Sequence, residues 1–300
     1  MTRPVLIIAN PVSGGGRGAE LAVRLGAALE GIGLVAEQRL TTLEQNGRHL
    51  AARIDASAYR CIAVVGGDGS LHDVLGGLND LATPVALLPA GTANVWAREA
   101  HIDRDPERVA RLIHRGCTVR ARLYEANGRT FFLFAGAGID ARIVERVEAV
   151  RHRRGHAGGM LQWIVPGWTE FIRRPAAELT VHCNGRALRG MAEVLVTRVR
   201  SYAAGMSMPP GIDVADTHLH VLAFARHHKS RYLAIAVRAL FGRLRDGVDL
   251  THLVTDGPVR IESRGREPFH LDGDHAGQLP VDIASTGRQA LLVVPERAAV

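Results

Sequence analysis

A chain of 300 residues, 47% hydrophobic and 22% charged, has room for two ordinary domains and the composition of a globular protein rather than a disordered one. Its net charge of +7 favours anionic partners (nucleic acid, an anionic lipid surface or phosphorylated ligands) without choosing among them. Cys61, Cys117 and Cys183 are odd in number and lack metal spacing, which argues against a disulfide framework and suits a reducing cytoplasm.

Residues 1 to about 122 alternate strand and helix. Val5–Ala9 reads as a buried strand that ends at the turn 10–18, and not as a signal peptide. Ala19–Leu29 follows as a helix stopped by Gly31 and Gly33, then a strand over Leu34–Leu40, a helix over Asn46–Ile54 and a strand over Cys61–Val65. Gly66-Gly67-Asp68-Gly69-Ser70 leads into a helix over Leu71–Leu78, and Val85–Leu88 is the next strand. Strict alternation predicts a parallel sheet covered on both faces, with ligands beyond the carboxyl ends of its strands. The three special turns, at 10–18, 66–70 and 89–94, all follow strands and so share that edge.

Beyond residue 122 the pattern changes to short β-type runs: Phe131–Ala135, Leu179–Cys183, Ala187–Thr197, Leu219–Phe224 and Val259–Ser263. Asn184-Gly185 signals a hairpin. The expectation is an antiparallel β-sandwich-like second domain over 123–286, interrupted by helices near 140–149, 159–173 and 229–245. A last strand, Leu291–Val294, takes 287–300 back to the first domain. The longest apolar run, Phe131–Ile139, is under half the roughly 20 residues of a spanning helix.

Three glycines in four positions at 66–69 leave backbone N–H groups open to a phosphate, and the helix that follows turns its positive end to the same spot. Asp68 adds a carboxylate where a Mg²⁺-bound or water-bridged phosphate would sit. A plain strand-to-helix turn is the alternative. Asn10-Pro-Val-Ser13-Gly14 lacks the lysine of a Walker loop and the spaced glycines of a dinucleotide fingerprint. In Leu88-Pro-Ala-Gly91-Thr92-Ala-Asn94, Thr92 offers a hydroxyl and Asn94 a helix cap.

Taken together, in this order and spacing, these three loops resemble the bacterial soluble lipid kinases, the family of the diacylglycerol kinase catalytic domain and the sphingosine kinases. The likeness continues through Phe134-Ala-Gly-Ala-Gly-Ile-Asp-Ala141, the basic and aromatic segment 151–174, and Leu271-Asp-Gly-Asp274. The resemblance implies a two-domain enzyme with an NAD kinase-like architecture, ATP on the first domain and a lipid acceptor at the interdomain cleft. Nucleotide contacts would come from Gly66, Gly67, Asp68, Gly69 and Ser70 with Asn10, Ser13, Thr41, Gly91 and Thr92, Thr42 being the neighbouring alternative to Thr41. The family's base lies in an Asp-Gly-Glu turn, here Asp272-Gly273-Asp274. The shortened last position favours Asp272 as base and leaves Asp274 as alternative or helper. A structural Mg²⁺ site of the family corresponds to Asp213, Asp216 and His218, with Thr217 in place of a glycine. Arg198–Gly205 also departs from the family's asparagine and glycine-rich turn.

The resemblance thus implies ATP and Mg²⁺ as cofactors, a cytoplasmic enzyme and peripheral contact with an anionic membrane. Arg146, Arg151, Arg153 and Arg154 beside Trp163 and Trp168 suit such an interface, and 226–245 reads as a basic amphipathic helix with Leu233, Val237, Leu240 and Phe241 inward. No nucleic-acid motif accompanies the charge. A homodimer is left open. The competing readings are an NAD kinase-like phosphotransferase and a nucleotide- or lipid-binding sensor with little catalytic power.

Overall fold

The computed structural model describes residues 3–42, 44–154, 169, 176–202 and 205–296. The chain divides into two compact units, Met1–Arg122 with Arg288–Val300, and Leu123–Gly287. The segment 155–168, which carries the tryptophan-rich part of the expected membrane contact, and the expected helix over 159–173 lie outside the described residues but for Thr169.

In the first unit four parallel strands run in the order Ala36–Leu40, Val5–Ala9, Cys61–Gly66, Val85–Pro89, and Leu292 of the last strand pairs beyond them with Val85. The three inner strands are buried throughout, which their unbroken apolar sequences require of a sheet covered on both faces. The helix Gly18–Glu30 turns Ala22, Leu25 and Leu29 inward at helical spacing. A further helix, Pro106–Arg115, has every terminal signal: Asp105 accepts the Glu107 N–H, Pro106 opens it, and Gly116 closes it at φ 74°. Register is what builds the site. Ala9 lies beside Val65, and Gly66 beside Pro89, so the turns after these strands start side by side.

The second unit is antiparallel. Arg186–Thr197 is its long central strand, paired with Leu179–Cys183 through its first half and with Phe134–Ala137 and Leu219–Ala225 through its second. Asn184 and Gly185, at φ 52° and 71°, form the expected two-residue hairpin between Cys183 and Arg186. Alternate residues of these strands and of Val259–Ser263, which pairs with Leu179–Cys183, fill one core with Phe131 and Phe269; among them are Leu179, Val181, Val194, Val196, Leu219, Val221, Val259 and Ile261.

Three expectations are corrected. The helix after the glycine loop begins at Asp68, not at Leu71, so the loop is itself the first helical turn. The strand expected over Phe131–Ala135 is two strands, Arg129–Phe131 and Phe134–Ala137, with a break at Phe132-Leu133. The helix Lys229–Leu240 packs through Ile235 and Ala239, leaving Leu233, Val237, Leu240 and Phe241 outward, with Phe241 71% exposed. Its phase is set by polar anchors: Arg231 donates to the Val248 carbonyl, and Arg238 pairs with Asp249, whose side chain is fully buried. No helix among the described residues is long and apolar enough to cross a membrane.

Candidate active site

The glycines that end or follow the strands Cys61–Gly66 and Val85–Pro89 do not serve sharp turns. Gly66 and Gly67 lack positive φ, and their reason is contact. A Cβ on Gly91 would lie 2.6 Å from the Gly67 Cα, so the loop after Cys61–Gly66 and the loop after Val85–Pro89 touch backbone to backbone. A Cβ on Gly66 would run into the Ser70 side chain and come 3.7 Å from the Ser13 Oγ, which brings the first loop into the same cluster. Gly14, at φ 64°, passes so close to the Ala90 carbonyl that a Cβ would be 2.9 Å from its oxygen.

Asp68, expected to face a metal-bound phosphate, turns its carboxylate to backbone. Oδ2 accepts the Val95 N–H at 2.8 Å and Oδ1 the Trp96 N–H at 3.0 Å, which caps the short helix Val95–Glu99. Asn94 occupies the cap position of that helix but does not cap it; it is left-handed at φ 45° and donates to the Gly91 carbonyl at 2.7 Å. The first-turn amides of Asp68–Ser70 precede the first intrahelical bond, from Leu71 N–H to the Gly67 carbonyl.

Asn10 shapes its own loop: Oδ1 accepts the Val12 N–H at 3.2 Å and its carbonyl the Ser13 N–H at 3.1 Å. Thr41 extends the parallel ladder by donating its N–H to the Ala9 carbonyl. The Thr42 hydroxyl is engaged within its loop, donating to Glu44 and accepting the Gln45 N–H. Thr92 is exposed at the rim. The structure therefore brings Ser13, Gly66, Gly67, Ser70 and Gly91 together.

In the second unit, Asp272 and Gly273 form a tight turn at φ 51° and 91° between Pro268–Leu271 and Asp274–Gln278. Asp272 is buried, and its carboxylate accepts three backbone N–H groups, from Phe132 at 3.1 Å, Leu133 at 3.0 Å and Phe134 at 2.9 Å. These bonds explain the strand break: amides turned out of the sheet ladder find their acceptor here. Asp274, two residues on, is exposed.

A polar group that sequence reasoning gave no role stands beside this turn. His270, buried at 1% exposure, bonds through Nε2 to the Asp140 Oδ2 at 2.8 Å, and the Tyr202 hydroxyl donates to the same oxygen at 2.6 Å. The Ile139 N–H donates to Glu193 Oε2 at 2.6 Å. Burial opposes ionisation of Asp140, but the His270 imidazole and hydrogen bonds from Glu193, His270 and Tyr202 outweigh it and hold the carboxyl well below the usual range. Burial and then the Asp140 charge push the Glu193 carboxyl up, so Glu193 carries the proton of the pair. The available signal was the Gly136-Ala-Gly138 spacing: a Cβ on Gly136 would strike both His270 and Asp140, and one on Gly138 would strike Glu193.

The residues implied for a structural Mg²⁺ do not fit one. Asp213 Oδ1 accepts the Ala215 N–H at 2.8 Å, and Asp216 Oδ1 accepts the His218 N–H and bonds its Nδ1. The carboxylates close turns of their own chain, and no group of three or more ligating side chains suited to a metal occurs among the described residues.

Both units have counterparts among known proteins. Residues 4–126 match the diacylglycerol kinase catalytic domain, and residues 134–297 match the YegS C-terminal NAD kinase beta sandwich-like domain. The chain is 23% identical over 299 residues to a diacylglycerol kinase of Bacillus subtilis (strain 168), covering 98% of this chain and 97% of that protein. It is 25% identical over 289 residues to a diacylglycerol kinase of Mycobacterium tuberculosis (strain ATCC 25618 / H37Rv), covering 94% and 92%. A solved structure of a diacylglycerol kinase from Bacillus anthracis str. Sterne has the same fold at TM-score 0.73 and 17% identity, covering 99% of this chain and 98% of that one. With both halves matched in order, this chain belongs to the kinase family that joins a diacylglycerol kinase catalytic domain to a YegS-type NAD kinase beta sandwich-like domain.

Proposed function

We propose that this protein transfers the γ-phosphoryl group of ATP to a lipid hydroxyl, with diacylglycerol as acceptor. The observation that carries the reading is the backbone contact of Gly67 with Gly91 at the strand edge, which presents first-turn amides and no side chain where phosphates approach. Bound ATP with its Mg²⁺ supplies the phosphoryl group and neutralises its charge. Amides of Gly66–Ser70 hold the phosphates, and hydroxyls of Ser13, Ser70, Thr41 and Thr92 orient the nucleotide. Thr41 is chosen over Thr42 because the Thr42 hydroxyl is already engaged by Glu44 and Gln45. Asp68 acts by joining the two loops, and Asn10 by shaping the third.

In the second unit Asp272 takes the proton of the attacking hydroxyl, with its orientation fixed by the amides of Phe132, Leu133 and Phe134. Asp274, exposed beside it, assists. The acceptor is drawn from a bilayer, and the outward face of Lys229–Leu240 suits contact with one: Leu233, Val237, Leu240 and Phe241 are each 45% exposed or more, and six Lys or Arg against two Asp lie within 226–250.

The test is transfer from labelled ATP to vesicles carrying diacylglycerol, phosphatidylglycerol or a sphingoid base, with NAD as a further acceptor. Labelled diacylglycerol phosphate is expected. Labelling of NAD alone would establish the NAD kinase-like reading, and labelling of no acceptor despite ATP binding would favour a sensor.

A further inference from the structure

One turn of the second unit gathers main-chain oxygen around a buried cation. Arg198 is 0% exposed, and its Nη2 donates to the carbonyls of Val214, at 2.6 Å, and Asp216. Its guanidinium carbon lies 5.2 Å from the centre of the Tyr124 ring, a cation–π arrangement, and the Tyr124 hydroxyl donates to the Thr217 carbonyl at 2.7 Å. Three carbonyls within four residues, flanked by the carboxylates of Asp213 and Asp216, are the hard oxygen donors that a divalent ion would gather. Here they meet an N–H and O–H donor set instead.

A buried guanidinium persists only where its charge is compensated and its protons are accepted. The carbonyls accept the protons of Nη2 and the Tyr124 ring faces the guanidinium, while its positive charge opposes entry of a second cation at the same oxygens. We propose that Arg198 is the resident cation of the turn 213–218, so that this unit folds and works without the structural divalent metal that the family resemblance implies. The Arg198 N–H donates to the Leu133 carbonyl at 2.9 Å, and the Leu133 N–H is one of the three that hold Asp272. That main-chain bond ties residue 198 to the Leu133 segment whatever its side chain, while the guanidinium keeps its charge under all working conditions.

The experiment uses the full chain, treated with chelator and desalted. Metal content is measured directly, and Tm is followed with and without added Mg²⁺ or Ca²⁺, no nucleotide being present. Expected are no stoichiometric metal and a Tm that neither chelator nor added cation moves. A divalent ion present at roughly a hundred times its Kd would raise Tm by about 5–10 °C in a unit of this size, and such a rise, or metal retained at one per chain, overturns the proposal. Arg198→Met, which keeps the length but loses charge and donors, should lower Tm or fail to fold. An unchanged Tm in that variant would remove Arg198 from the role, while the chelation series on the parent stands whether or not the variant folds.

Discussion

Asp68 and Trp96 are joined by a 3.0 Å hydrogen bond from the Trp96 N–H to Oδ1, while the neighbouring Val95 N–H donates to Oδ2 at 2.8 Å. A carboxylate in the first helical turn of one loop therefore caps the helix that leaves the next and ties the two loops together. Asp68→Ala should cost about 1–2 kcal/mol in urea unfolding, the usual worth of a lost cap, and weaken ATP binding about tenfold by loosening the loops. Gly91→Ala should weaken ATP binding at least as much, because its Cβ would meet Gly67 Cα and, at 2.8 Å, Asn94 Oδ1. Gly265→Ala, which meets nothing, is the control. ATP binding unchanged in both loop variants would detach this cluster from the nucleotide.

Asp272 and Asp274 differ in environment, and so should their variants. Asp272→Asn turns an NH₂ group toward backbone amides that need an acceptor, so it should lower stability by about 1–3 kcal/mol and abolish turnover. ATP binding, a property of the other unit, should stay within a few-fold. Asp274→Asn changes an exposed side chain and should leave Tm unaltered while reducing kcat. Turnover in Asp272→Asn near the parent's would transfer the base role to Asp274.

The outward face of Lys229–Leu240 predicts a split between kinetics at a surface and in solution. Phe241→Ser and Leu233→Ser should reduce sedimentation with anionic vesicles and raise the apparent KM for vesicle-borne lipid. kcat on a dispersed short-chain acceptor should hold, because neither side chain belongs to the polar group around Asp140 or to the Asp272 turn. Equal losses on both acceptors would indicate a folding defect and remove the surface role.

Legibility in the sequence followed the range of the interactions. The parallel strands of the first unit were readable because Val5–Ala9 and Cys61–Val65 are unbroken apolar runs, and Asn184-Gly185 because a two-residue turn is local chemistry. The start of the helix at Asp68 was not, since the glycines there answer to Gly91, over twenty residues away, and not to their own φ. The break at Phe132-Leu133 depends on a carboxylate 140 positions downstream. The phase of Lys229–Leu240 depends on Asp249, whose buried pairing with Arg238 outweighs the stripe that Leu233, Val237 and Leu240 suggest. His270, Glu193 and Tyr202 come from three separate segments, and only the small residues at 136 and 138 hinted at what they enclose.

The proton on Glu193 gives that group a measurable sign. Its carboxyl is pushed up in the folded state, so the associated stability is fully present below the ordinary value near 4.5 and is lost as pH rises toward the folded value. Asp140 acts oppositely: its depressed carboxyl adds stability above its ordinary 3.8 that is lost only as pH falls further. Above the ordinary carboxylate range, then, the slope from this pair belongs to Glu193 alone. Glu193→Gln keeps an oxygen for the Ile139 N–H and an NH₂ donor for Asp140, and has no proton to lose. The variant should match the parent in unfolding free energy near the ordinary carboxylate range and exceed it increasingly as pH rises toward the folded value of Glu193, by no more than about 1.4 kcal/mol per pH unit. Titrations elsewhere in the chain occur in both proteins and cancel. A difference in stability that stays constant over this rise in pH would place the proton on another member of the group.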